Sequence, residues 1–89
     1  MNEARPTLEE LRVLWKARLR DAEQQLESAR QDVGKLERDL RWEGAPSPDV
    51  HYAFQRALRA ETRALERYAR VLIIYNDLVV HEKIPPEQP

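Results

Sequence analysis

An all-α chain, an antiparallel hairpin of two long helices resembling a coiled coil, is what this sequence predicts, and three observations carry the prediction. Apolar residues from Trp15 to Leu40 recur at alternating four- and three-residue steps. The stretch after Pro48 repeats that periodicity with apolar rows of its own. Between them lies Gly44-Ala45-Pro46-Ser47-Pro48, which breaks the helix but is too short to do more than fold the second segment back along the first.

The first helix is expected over 8–43. Thr7 and Glu10 spell a T-x-x-E capping box, in which the threonine oxygen accepts from the Glu10 amide while the carboxylate reaches back to the Thr7 amide. Within the helix, Leu19, Leu26, Val33 and Leu40 take the a positions of a heptad, and Trp15, Ala22, Ala29 and Leu36 the d positions. Most remaining positions are charged or amide side chains that solvate the other faces. Gly34 interrupts the helix at a cost of about 1 kcal/mol relative to alanine, and reads as a tolerated exposed glycine rather than a close helix approach.

The turn is expected over 44–47, and the second helix over 48–82, capped by Ser47, opened by Pro48 and favoured by Asp49 at the positive end of its dipole. Its a positions are His51, Leu58, Leu65, Leu72 and Val79, and its d positions Phe54, Glu61, Tyr68 and Tyr75. Val50, Ala57, Ala64, Val71 and Leu78 at g widen the apolar stripe to three rows, more than one neighbouring helix can cover. Folding about the turn sets Leu36 near Phe54, Val33 near Leu58, Leu26 near Leu65, Ala22 near Tyr68 and Trp15 near Tyr75. Ile84 has the option of folding back onto Leu8 and Leu11, and the proline-rich tail beyond it of extending away.

At 89 residues the chain is one domain at most, of the size where a lone core is marginal and self-association commonly adds stability. It has no cysteine, which removes disulfides and thiolate metal sites together and fits a reducing, cytoplasmic setting. Fifteen basic side chains stand against sixteen acidic ones, so overall charge draws the chain neither to nucleic acid nor to an anionic membrane. Acids among the first ten residues argue against a secretory signal. The longest apolar run, Val71 to Val80, is about half of the roughly twenty residues that cross a bilayer and contains Asn76 and Asp77.

That run nevertheless carries the functional expectation. Apolar groups on all sides of a helix need cover on more than one face, and the N-terminal turns, with Leu11, Leu14 and Trp15, are apolar over much of their circumference too. Both segments fall at the end of the hairpin away from the turn. The expected interface is therefore Leu11, Leu14, Trp15, Val71, Ile73, Ile74, Leu78 and Val80. The expected partner is a second copy, giving a homodimeric four-helix bundle, or a larger protein that uses this small chain as scaffold, adaptor or regulatory subunit.

Other chemistry finds little footing. Arg56, Arg59, Arg63, Arg67 and Arg70 form a ridge at three- and four-residue steps, so candidate phosphate contacts make nucleic-acid association the alternative function. Pairing with acids of the first helix, such as Glu23, Glu27, Asp32 or Glu37, is the simpler use of those arginines. Glu61 in the seam reads as a buried polar layer, not as a metal ligand, since no E-x-x-H step accompanies it. His51 and His81 stand at opposite ends of the second helix, in capping or surface positions. Tyr68, Tyr75, Trp15 and Phe54 read as core with polar tips at its edge, and Trp42 as an exposed anchor. No nucleophile elbow, P-loop, H-E-x-x-H or dinucleotide fingerprint is present, so no enzyme activity, cofactor or metal is expected.

Overall fold

The capping box forms as spelled. In the computed structural model, which describes residues 5–42 and 48–86, the Thr7 amide donates to Glu10 Oε1 at 2.9 Å and the Glu10 amide donates to Thr7 Oγ1 at 3.1 Å. The Leu11 amide then donates to the Thr7 carbonyl at 3.0 Å, the first bond of helix α1, Leu8–Trp42. Two orphan amides are satisfied before the helix begins.

Helix α2, Pro48–His81, opens on the proline as the sequence indicates, with Asp49 in its first turn. Glu43, the expected turn at 44–47 with its Ser47 cap, and the side chain of Trp42 lie outside the described residues. At the far end α2 stops one residue short of the expected Glu82. Glu82 takes a left-handed φ of 53°, and the Lys83 amide donates to the Asp77 carbonyl at 3.2 Å, satisfying a carbonyl that the helix end would orphan.

The two helices, 35 and 34 residues long, pack along their length into a body of 64 × 28 × 15 Å, and no strand occurs among the described residues. The offset of the two helices agrees with the expected fold-back at two points, although Leu58 and Leu65, expected opposite Val33 and Leu26, are exposed. Arg67 reaches across to Asp21 and Gln25, and Trp15 packs in one cluster with Tyr75. The densest packing sits where the apolar ends meet: Leu11, Trp15, Val71 and Leu78 form its centre, with Leu8, Leu19, Ile74 and Tyr75 against them. The chain beyond α2 returns to this end, with Pro85 buried and Ile84 lining a hollow beside Leu11 and Pro6.

The seam of α1 is the expected one, with Trp15, Ala22 and Leu26 buried and Leu19, Ala29, Val33, Leu36 and Leu40 half-buried. On α2 the expected seam is rotated by about one residue. The g row, Ala57, Ala64, Val71 and Leu78, faces α1, flanked by half-buried Ala53, Ala60, Arg67 and Ile74 on one side and Phe54, Glu61, Tyr68 and Tyr75 on the other. The a row is left out: Leu58, Leu65, Leu72 and Val79 are 39–46% exposed. With Ala57 and Ala64 turned toward α1 the middle of the seam is thinly filled, and the larger leucine row lies at its side, partly covered.

Candidate interaction surfaces

The rotation of α2 gives the hairpin two unlike flanks. A residue that follows a g position is turned about 100° one way around the helix, and a residue that precedes it about 100° the other way. Leu58, Leu65, Leu72 and Val79 each follow a g residue and make an apolar flank. Arg56, Arg63, Arg70 and Asp77 each precede one, so the other flank is mainly arginine.

On the apolar flank, the positions just outward of the leucine row are Gln55, Thr62, Ala69 and Asn76, none of them charged. Thr62 donates its hydroxyl to the Leu58 carbonyl at 3.1 Å, which uses its proton within the helix. Toward the open end Ile73 and Val80, each 62% exposed, extend the apolar area around the back of α2. Large side chains at helical spacing with an uncharged outer edge form a strip that water wets poorly, bordered by Arg59, Arg63 and Glu66 beside Leu58.

The eight residues expected at the interface divide accordingly. Leu11, Trp15, Val71 and Leu78 are 0–6% exposed within the single chain, and Leu14 and Ile74 are half-buried. The four enclosed residues are hairpin core, because the two apolar ends close on each other. Ile73 and Val80 stay open to an outside partner, and the row Leu58, Leu65, Leu72 and Val79, read as interior from the sequence, joins them. The signal that could have found it is the third apolar row itself, one more than α1 can face.

On the arginine flank, Arg56, Arg59, Arg63 and Arg70 are exposed and Arg67 half-buried. Arg67 is engaged across the groove, donating from Nη2 to Asp21 Oδ2 at 3.2 Å and from Nη1 to the Gln25 side-chain oxygen. The Arg56 guanidinium lies 6.0 Å from the Tyr52 ring, and that of Arg18 on α1 lies 4.7 Å over the Trp15 ring. The expected pairing of this ridge with acids of α1 thus holds at Arg67, through Asp21 rather than Glu23, Glu27, Asp32 or Glu37. Between the helices on this side the walls recede, because Ala29, Ala57, Ala60 and Ala64 face one another across a hollow of about 400 Å³.

Two polar expectations change. Glu61 is half-buried, and no charged side chain is fully buried among the described residues, so the expected enclosed polar layer is an open one. Alanines make up the neighbouring layers and are too small to close over it. Trp15 is 2% exposed and its Nε1 is buried with no acceptor, where the sequence reading placed its polar tip at the edge of the core. Leaving that donor unpaired costs about 1–3 kcal/mol, which the burial of the large ring outweighs.

His51 and His81 are both exposed, one near the start of α2 and the other in its last turn. Among the described residues no three His, Asp or Glu side chains gather in a way that could hold a metal ion, and no helix is long and apolar enough to cross a membrane.

Fold and surface together define an all-α helical hairpin with an apolar flank and an arginine flank. Comparison with known proteins finds no matching family model, no similar curated protein and no similar solved structure.

Proposed function

We propose that this chain is a non-enzymatic interaction module of the cytoplasm that works through self-association, pairing α2 with α2 of a second copy to give a two-fold four-helix bundle. A single observation carries the reading: the heptad-spaced row Leu58, Leu65, Leu72 and Val79 lies to one side of the contact with α1 and stays 39–46% exposed. With Ile73 and Val80 the exposed part of these side chains amounts to roughly 500 Å² of apolar surface, as large as the largest patches on ordinary monomers. It is also more than half of the roughly 800 Å² that each partner contributes to a standard interface, so the row suffices as the apolar centre of one.

The second copy is favoured over an unlike protein by the edge of the row. Gln55, Thr62, Ala69 and Asn76 along its outer edge carry no charge, and the charges that do adjoin it, Glu61, Arg59, Arg63 and Glu66, are of both signs, so a copy needs no oppositely charged rim to meet it. Sedimentation through the micromolar range tests the reading. The unaltered chain should run as a dimer, and the doubly substituted Leu65→Lys, Leu72→Lys chain as a helical monomer, because neither side chain is enclosed by its own hairpin. A folded monomer at every concentration, or a dimer indifferent to both substitutions, would defeat it.

A further inference from the structure

Three hollows adjoin along the arginine flank, the first on the face of α2 and the other two between the helices. The first, about 430 Å³, runs beside Tyr52, Ala53 and Arg56; the second, about 400 Å³, shares Ala57, Ala60 and Arg63 with it. The third, about 250 Å³, is joined to the second through Arg67 and is walled by Trp15, Arg18 and Arg70. The result is one trough with a floor of alanines, 53, 57, 60 and 64, at alternating four- and three-residue steps.

Its rim is cationic. Arg18, Arg56, Arg59, Arg63, Arg67 and Arg70 border it, while the acids facing it from α1 are Asp32, which lines the second hollow, and Asp21, already bridged to Arg67. In a chain whose net charge is −1, this flank is strongly positive locally. The third hollow has Trp15, 2% exposed, in its wall, so an occupant there would lie against the indole ring.

We infer that the trough is the docking site for an acidic amphipathic helix of a partner protein, with one carboxylate of that helix seated among Arg18, Arg67 and Arg70. A helix is favoured by the floor, since alanines at alternating four- and three-residue steps let a third helix approach closely, as small residues do between packed helices. Acidic flanks are favoured by the rim, where guanidinium forks match carboxylates. A phosphate backbone would use the same rim but has no need of the floor.

This surface shares no apolar residue with the leucine row, so it is tested apart from self-association. The probe is a synthetic helical peptide of about 21 residues, roughly 30 Å long, with an Ala/Leu seam flanked by glutamates. Its controls are a scrambled sequence of the same composition, the lysine-flanked counterpart, and single-stranded and duplex oligonucleotides. Binding is read by peptide anisotropy and, in a Trp42→Phe background, by Trp15 emission. The glutamate peptide should bind the full chain, and equally its Leu65→Lys, Leu72→Lys form, with a shift in Trp15 emission.

Ala60→Leu, which fills the floor and keeps every arginine, should weaken peptide binding at least about tenfold, the equivalent of about 1.4 kcal/mol. Arg63→Glu should do the same, with circular dichroism confirming that both variants keep their helices. Equal binding of the scrambled or lysine peptide, or unchanged affinity in Ala60→Leu, would overturn the proposal. Oligonucleotide binding that Arg63→Glu abolishes and Ala60→Leu leaves intact, with no peptide binding, would overturn it in favour of a nucleic-acid surface.

Discussion

Arg67 and Asp21, 46 residues apart in sequence, meet across the hairpin with Nη2 and Oδ2 3.2 Å apart. The pair ties the second half of α2 to the middle of α1 and reports the register directly. Both side chains are largely open, 40% and 55% exposed, so water screens their attraction and a coupling of only about 0.2–1 kcal/mol is expected. A double-mutant cycle with Asp21→Asn and Arg67→Gln should return a value in that range. The charge-exchanged chain, Asp21→Arg with Arg67→Asp, should recover most of what either exchange alone loses; no recovery would place the two residues apart.

The capping box predicts a pH dependence confined to the start of α1. Bonding from the Thr7 amide, and secondly from the Thr7 hydroxyl, holds the Glu10 carboxyl below its ordinary value of 4.5. A depressed folded-state value means that the ionised form is the one the helix start binds. The contribution is therefore complete above the ordinary value and disappears as pH falls through the folded-state value. Carboxyl-carbon NMR from about pH 6 to about pH 2 should show Glu10 titrating below the ordinary value of 4.5. In Glu10→Gln, protection of the Thr7 amide should no longer change with pH.

Gly34 offers a stabilising substitution. A Cβ built there meets nothing within 4 Å, and the Arg38 Nε–H donates to the Gly34 carbonyl at 3.3 Å, a bond that alanine keeps. Gly34→Ala should raise stability by about 1 kcal/mol, and the melting temperature by about 4–8 °C at fixed protein concentration. A loss of stability would mean that another chain approaches α1 at this point.

Glu82 offers the opposite exchange. Its φ of 53° is one that residues with a Cβ adopt at a cost of about 1 kcal/mol and glycine adopts freely. The contact between Arg12 and Glu82 is long, at 3.9 Å, and exposed on the glutamate side, so little is lost with it. Glu82→Gly should gain about 0.5–1 kcal/mol and Glu82→Val should lose stability, both by denaturant midpoint.

Where the fold is written in local chemistry, the sequence discloses it. The Thr7–Glu10 cap, the start of α2 at Pro48 and the α1 seam from Trp15 to Leu40 each follow from residues within a few positions of one another. The meeting of Leu11 and Trp15 with Val71 and Leu78 needed only the helix lengths. The rotation of α2 was not legible, because Leu58, Leu65 and Leu72 repeat with the same period as Ala57, Ala64 and Val71, and period alone does not choose between two rows. The packed end shows which row turned inward: Val71 and Leu78 close on Leu11 and Trp15, and the leucine row lies at the side. The trough stayed hidden for a related reason, since its floor is made of alanines that look like weak core until both helices are in place. Glu82 gave no sign of its left-handed backbone, which glycine would have announced.

Leucine row and alanine floor lie roughly 100–160° apart around the same helix, so the two surfaces face different ways. Two copies joined along their leucine rows would hold both troughs outward, and a target carrying two acidic helices could engage them together. The second engagement would then be intramolecular, at an effective concentration set by the spacer rather than by the cell, and weak individual sites would become a bivalent clamp whose grip depends on the spacing between the target's helices.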